Sequence, residues 1–180
     1  LDHGIAGWIV RWLLHRIRIW DHRSATGVDH FIANSHFIAR RIRKAYGREA
    51  DVIYPPVDIR AFMPVTDKQQ HYVAASRMVP YKRMRLIVEA FSAMPERELV
   101  VIGDGPELEC IRAMAGPNIR LTGRLDGAAL CRELQQARAF VFAAEEDFGI
   151  MPVEAQALLI AANTEIFSPI DGTVISRSVD

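Results

Sequence analysis

The stretch that decides the fold runs from residue 71 to residue 103: HYVAASRMVPYKRMRLIVEAFSAMPERELVVIG. YVAASR is short, apolar and bounded by polar residues, which predicts a buried strand. RMRLIVEAFSAM spaces its apolar residues at the 3.6 period of a helix, and ELVVIG is again a short apolar strand. Strand, helix and strand at this length make one βαβ unit. Outward from it the pattern continues as PELECIRAMA, NIRLTG, GAALCRELQQA, AFVFAA and PVEAQALLIAA, giving four strand–helix pairs in succession. The expected fold class is therefore α/β, a doubly wound parallel sheet whose strands are buried on both faces. In such a sheet every strand-to-helix turn falls on one edge, and ligands bind there, outside the carboxyl ends of the strands.

Upstream, WIVRWLLHRIRIW mixes tryptophan, leucine and isoleucine with arginine at helical spacing. That predicts an amphipathic helix suited either to an anionic membrane surface or to packing on another domain. HFIANS predicts a strand ending at Ser35, a good N-cap. A basic helix follows and stops at Gly47. DVIYPPVDIRAFMP, with Pro55, Pro56 and Pro64, predicts a stiff extended connection. Residues 1–50 thus read as part of one domain, 51–70 as a linker and 71–158 as the α/β domain. Residues 159–180 break the period: Asp171-Gly172 is a turn signal between two β-prone runs, so a short β-hairpin-like tail is expected.

Bulk properties fit a globular protein. Of 180 residues half are hydrophobic, and 22 basic side chains balance 22 acidic ones, so no global field points to nucleic acid. Basic charge is concentrated between Arg11 and Arg48, where nine Lys or Arg face two acids. Cys110 and Cys131 show neither metal-ligand spacing nor a disulfide framework, and no run of eighteen apolar residues occurs. No secretory leader is legible and a cytoplasmic location is expected. The chain opens on Leu1, meets its first methionine at Met63 and ends within a strand-like pattern, which reads as a fragment at both ends.

The chemistry gathers at the strand ends. After AFVFAA comes EEDFGIMPVEAQA, which sets Glu146 and Glu154 around Phe148, Gly149 and Ile150. A carboxylate accepts from two adjacent hydroxyls, as on a hexose or a ribose. Free N–H groups at a helix start suit phosphate or sugar hydroxyls. Glu154 is expected in the first turn of that helix. The first strand brings Arg77 and Lys82 to the same edge, a planar fork and a point charge for phosphate oxygens. GDGPE, with Gly103 and Gly105, and TGRLD, with Arg124 and Leu125, turn into the same cleft. There is no Asp-X-Asp pair and no His/Cys cluster, so a metal-independent site without cofactor is expected. Each feature alone has a plainer explanation, such as a solvated loop or a helix-dipole glutamate; four strand ends supplying matching pieces do not.

FIANSHFIARRI (31–42), VIYPPVD (52–58), SRMVPYKR (76–83), VIGDGPE (101–107), LTGR (121–124) and EDFGIMPVEAQA (146–157) together resemble glycosyltransferase family 4, whose members have the two-domain GT-B fold. The match covers about residues 1–157. VIYPPVD and the basic helix look most like bacterial mannosyltransferase-type members that build cell-surface polysaccharide. The resemblance implies a Rossmann-like donor-binding C-terminal domain. It implies retaining transfer of a hexose, mannose by type, from a nucleotide sugar similar to GDP-mannose to a glycan or lipid-linked acceptor. It carries Arg77 and Lys82 to the departing diphosphate and Glu146, with the amides of Phe148 to Ile150, to the donor sugar. Glu154 falls to the ribose, and Arg124 and Leu125 to the base. It places the enzyme in the cytoplasm, with peripheral contact at the inner face of the plasma membrane.

Two departures stand out. Most of the acceptor-binding N-terminal domain of the family is absent, so this piece alone is expected to be inactive. Beyond Ala155–Leu159 the stretch IFSPIDGTVISRSVD resembles the β segment of membrane-fusion (periplasmic adaptor) proteins, which raises the expectation of a chimeric sequence. An adaptor fragment of an efflux or secretion system and a nucleotide-sugar epimerase on the same fold are the competing readings.

Overall fold

The computed structural model describes residues 4–57, 65, 68–159, 166–167 and 174–175. The chain divides into two compact units, residues 1–55 and 56–180.

The first unit begins with α1, Ile5–Ser24. Its Trp8, Trp12 and Trp20 are 71, 60 and 69% exposed. Arg11, His15, Arg18 and His22 recur at i, i+4, i+7 and i+11, one stripe of the helix. No described helix is long and apolar enough to cross a membrane. β1 (Ile32–Ala33) leads into α2 (His36–Tyr46), and β2 (Asp51–Val52) returns parallel to β1. The ends of α2 are as expected: Ser35 accepts from the Ile38 amide at 3.2 Å, and Gly47 takes the left-handed φ of 67°. Arg48 fastens this turn, donating to the carbonyls of Ala25, Val28 and Asp29. HFIANS thus forms a strand at only two residues. DVIYPP starts as a paired strand before its prolines extend it.

The second unit carries the sheet. Its elements are β3 (Tyr72–Ala75), α3 (Met84–Ser92), β4 (Leu99–Ile102), α4 (Leu108–Met114), β5 (Ile119–Gly123), α5 (Gly127–Gln136), β6 (Ala139–Phe140) and α6 (Ile150–Leu159). Spatial order is β5-β4-β3-β6, with every pairing parallel. Alternation along β3 and β4 sends Tyr72, Ala74, Leu99 and Val101 to one face, where Met84, Ile87, Val88 and Phe91 of α3 and Ile111 of α4 cover them. Val73, Ala75, Val100 and Ile102 go to the other, under Leu134 of α5 and Ala155 of α6. Full burial of each large aliphatic side chain contributes about 1.5–3 kcal/mol. The doubly wound expectation is what the chain forms, although AFVFAA is ladder-paired over fewer residues than its six apolar positions suggested.

Asn118 holds the end of α3 to the start of β5: its Nδ2 donates to the carbonyls of Phe91, Met94 and Arg97 at 2.9, 3.1 and 2.8 Å. In the tail, β7 (Ile166–Phe167) pairs antiparallel with β8 (Val174–Ile175). The Asp171-Gly172 turn lies outside the described residues, as does the connection over 58–64.

Candidate functional site

The strand order reverses at β3, whose neighbours are β4 on one side and β6 on the other. The crevice at the carboxyl ends of these strands is where an open α/β sheet takes a ligand. The chain leaving β3 is knitted to the chain leaving β4. The Ser76 amide donates to Ile102 O at 3.0 Å, the Met78 amide to Asp104 O at 2.9 Å and the Glu107 amide to Met78 O at 3.1 Å. Gly103 and Gly105, expected as a turn into the cleft, are first of all demanded by this knitting. Their φ angles are +137° and +153°, and a Cβ would lie 1.9 Å from Ser76 O and 2.5 Å from Met78 O. The backbones approach too closely for any side chain, and the approach fixes where Arg77 emerges.

A cleft of about 490 Å³ opens over these turns, lined by Ala75, Ser76, Arg77, Ile102, Gly103, Asp104, Gly105, Arg124, Leu125, Leu130 and Met151. Five expected residues therefore meet there: Arg77, Gly103, Gly105, Arg124 and Leu125. Arg77 and Arg124 are both exposed, and neither is engaged by a carboxylate among the described residues. Two unneutralised guanidiniums over an apolar floor of Leu125, Leu130 and Met151 suit an anion attached to a flat, apolar group. Ser76, Asp104, Leu130 and Met151 were not singled out from sequence. The first two adjoin residues that were, whereas Leu130 and Met151 look there like ordinary helix-core positions.

Lys82 stands apart from that lining. The turn Pro80–Lys82 is a short 3₁₀ helix with proline at its start, closed by Arg83 at a left-handed φ of 55°. It presents Lys82 in an ion pair with Glu146, with only 17% and 24% of the two side chains exposed. Burial lowers the Lys82 pKa, and the Asp147 carboxylate partly offsets that. The ammonium also lies 5.2 Å from the Tyr81 ring centroid.

Glu146 and Glu154 flank a turn pivoting on Gly149, whose φ is +79° and whose Cβ position abuts Pro152 at 3.3 Å and the Glu146 Cβ at 3.6 Å. α6 begins at Ile150, so Glu154 is its fifth residue and no acid stands in the first turn. The expected placement in the first turn is corrected by one step. The helix starts earlier than Pro152, because proline is accommodated within a first turn, where its missing N–H costs nothing. Glu154 is half-buried, and that burial raises its pKa. Phe148, Gly149, Ile150 and Glu154 are not in the lining of the cleft, whereas Met151 of α6 is. Among the described residues no three His, Cys, Asp or Glu side chains gather in a way that could hold a metal ion.

A model of the family described as "Glycosyl transferases group 1" matches residues 58–164. A search of curated proteins by sequence returned no match. Among solved structures, Anabaena HepE, in complex with UDP and glucose, is 17% identical with a TM-score of 0.66, over 82% of this chain and 47% of that one. TarM of S. aureus is 19% identical with a TM-score of 0.65, over 84% and 33%. Sucrose-phosphate synthase of Thermosynechococcus elongatus is 19% identical with a TM-score of 0.63, over 78% and 40%. At these identities the likeness is one of fold, that of GT-B glycosyltransferases, and the chain spans well under two thirds of each of these three structures.

Proposed function

The chain belongs to the group 1 glycosyl transferases, and from that premise we propose that its second unit is the donor-binding half of a hexosyltransferase using a nucleoside-diphosphate sugar. The observation that carries this is the meeting of Arg77, Arg124 and Leu125 over the Gly103–Gly105 turn in one cleft at the strand ends. The base lies on the apolar floor by Leu125, between Arg124 and Met151, and Glu154 takes the ribose hydroxyls. Arg77 and Lys82 face the diphosphate. Glu146, with the amides of Phe148 to Ile150, holds the hexose.

In the reaction the bond from the anomeric carbon to the β-phosphate oxygen breaks. Negative charge grows on the leaving diphosphate, and two cations fixed on rigid turns stabilise it without reorganising. The acceptor hydroxyl adds to the face the diphosphate leaves and passes its proton to the departing phosphate oxygen, so configuration is retained. The work is done by protein cations, with no metal or other cofactor. The donor is of the GDP-mannose kind and the acceptor a glycan or lipid-linked sugar of a cell-surface polysaccharide. The family model runs to residue 164, past the point where the tail's second resemblance begins, and favours the transferase over the epimerase and adaptor readings. The location is cytoplasmic, at the inner face of the plasma membrane: the exposed tryptophans and basic stripe of α1 suit an anionic bilayer, and co-sedimentation with phosphatidylglycerol vesicles tests that.

The donor site is tested by thermal shift with UDP, GDP, ADP and their hexose conjugates. Ligand at 100 times its Kd stabilises by about 2.7 kcal/mol. One nucleotide series is expected to raise the melting point of the parent, and Arg77→Ala is expected to remove most of that rise. A folded chain that responds to none refutes the assignment.

A further inference from the structure

Resting on that reading, we infer that Glu146 is an internal occupant of the diphosphate subsite: it holds Lys82 while the site lacks a sugar and yields it only to a ligand that brings phosphate and sugar together. The ion pair joins a residue from the turn after β3 to one from the turn after β6, across the place where the strand order reverses. Both side chains are largely buried. Lys82 emerges from the turn shaped by Pro80 and the left-handed Arg83, and Glu146 from the turn that pivots on Gly149.

The consequence follows from pairing buried charge. Separating two buried partners is costly unless each finds a replacement. A nucleotide sugar supplies both, phosphate oxygens for Lys82 and hydroxyl donors for Glu146. A nucleoside diphosphate supplies only the first. It leaves the carboxylate without a donor and beside further negative charge. The pair therefore discriminates donor from spent nucleotide. Once the sugar has gone, Glu146 reclaims Lys82 and expels the product.

Calorimetric titration of UDP and of GDP, each with and without its hexose, into the parent chain, Glu146→Gln, Lys82→Ala and the double variant tests this. Glutamine keeps the shape and releases the lysine. Glu146→Gln is expected to bind the free nucleoside diphosphate about tenfold tighter and to lose the preference for the sugar conjugate. On the Lys82→Ala background the same substitution is expected to change nothing, since the contested partner is gone. Glu146→Ala, with circular dichroism on every variant, repeats the measurement should glutamine disturb the turn. If the parent binds nucleotide but neither Glu146 variant binds the diphosphate more tightly, the inference falls and the donor site stands. If the parent binds none of these four ligands and none of the adenine series, both fall.

Discussion

Gly103→Ala is the sharpest structural test of how the cleft is built. The new Cβ would sit 1.9 Å from Ser76 O, and real Cβ atoms essentially never approach within 3.0 Å, so the two backbones must part by about 1.1 Å. The obstacle is a carbonyl, not the end of a flexible side chain. Parting disturbs the bonds from the Ser76 amide to Ile102 O at 3.0 Å and from the Gly103 amide to Gly123 O at 2.9 Å. Each is worth about 1 kcal/mol net, and a non-glycine residue at this φ adds roughly 1–3 kcal/mol. A loss on the order of 3–5 kcal/mol follows, much of the roughly 5–15 kcal/mol that holds a domain together. Two controls bracket it. Gly47 has a φ of +67° but nothing within 4 Å, so alanine there costs only about 1–2 kcal/mol. Gly127 has neither positive φ nor neighbours, and alanine should stabilise by about 0.4–1 kcal/mol. Urea unfolding of the three variants gives the order directly. Nucleotide response should vanish with Gly103→Ala at temperatures where it is still folded, because Ser76 carries Arg77. A Gly103→Ala chain within about 1 kcal/mol of the parent would show that close approach does not position the cleft.

Asn118→Ala removes the donor shared by the Phe91, Met94 and Arg97 carbonyls and should cost about 1–3 kcal/mol; an unchanged melting point would mean water replaces it freely. Glu154 has a pKa raised by burial above the ordinary 4.5, so the folded state holds its proton more tightly than the unfolded chain. Stability must then fall as pH rises through the window between 4.5 and the raised value. Glu154→Gln should lack that slope in melting temperature against pH. Lys82 has its pKa lowered from 10.5. Affinity for a nucleoside diphosphate should therefore weaken on the alkaline side before an ordinary lysine would deprotonate. Lys82→Arg, which keeps its charge, should flatten that limb in a titration series.

The sheet was legible because β3 and β4 are apolar on both faces and are joined by a clean 3.6-residue period. Strand ends were less so. AFVFAA has six apolar residues, yet the ladder pairs Ala139 and Phe140 with Tyr72 and Val73, since burial there is also met by loop packing. Arg77, Arg124 and Leu125 could be placed in one cleft from sequence because topology alone brings strand ends together. Leu130 and Met151 could not: an apolar residue on a helix looks the same whether it faces the sheet or a ligand. The glycines of GDGP were found for an incomplete reason. Sequence shows that a side chain is missing, but not that Ser76 O and Met78 O occupy its space. Nor could local pattern show that Lys82 and Glu146, far apart in the chain, meet as an ion pair.

Two half-buried charges, Lys82 and Glu154, are shifted in opposite senses by one cause. Desolvation lowers Lys82 and raises Glu154, so each is pressed toward its neutral form. A structural ion pair would do the reverse, since a partner close enough to repay burial stabilises the charged state. The Asp147 carboxylate only partly restores Lys82, and nothing offsets the burial of Glu154. Stability would be better served by an apolar side chain in place of Glu154 and by an apolar pair in place of Lys82 and Glu146. The arrangement becomes favourable only when a ligand brings anionic oxygens to one side and hydroxyl donors to the other. A nucleoside diphosphate sugar carries both, at opposite ends of its ribose and phosphates. The free energy withheld from folding at these two residues is then recovered as binding. On that argument Glu154→Leu, and Lys82→Met combined with Glu146→Leu so that no charge is left unpaired, should each raise the melting point of the free chain while abolishing its response to nucleotide. Variants that lost stability along with binding would mean that these side chains are structural and that the ligand's charges are met elsewhere.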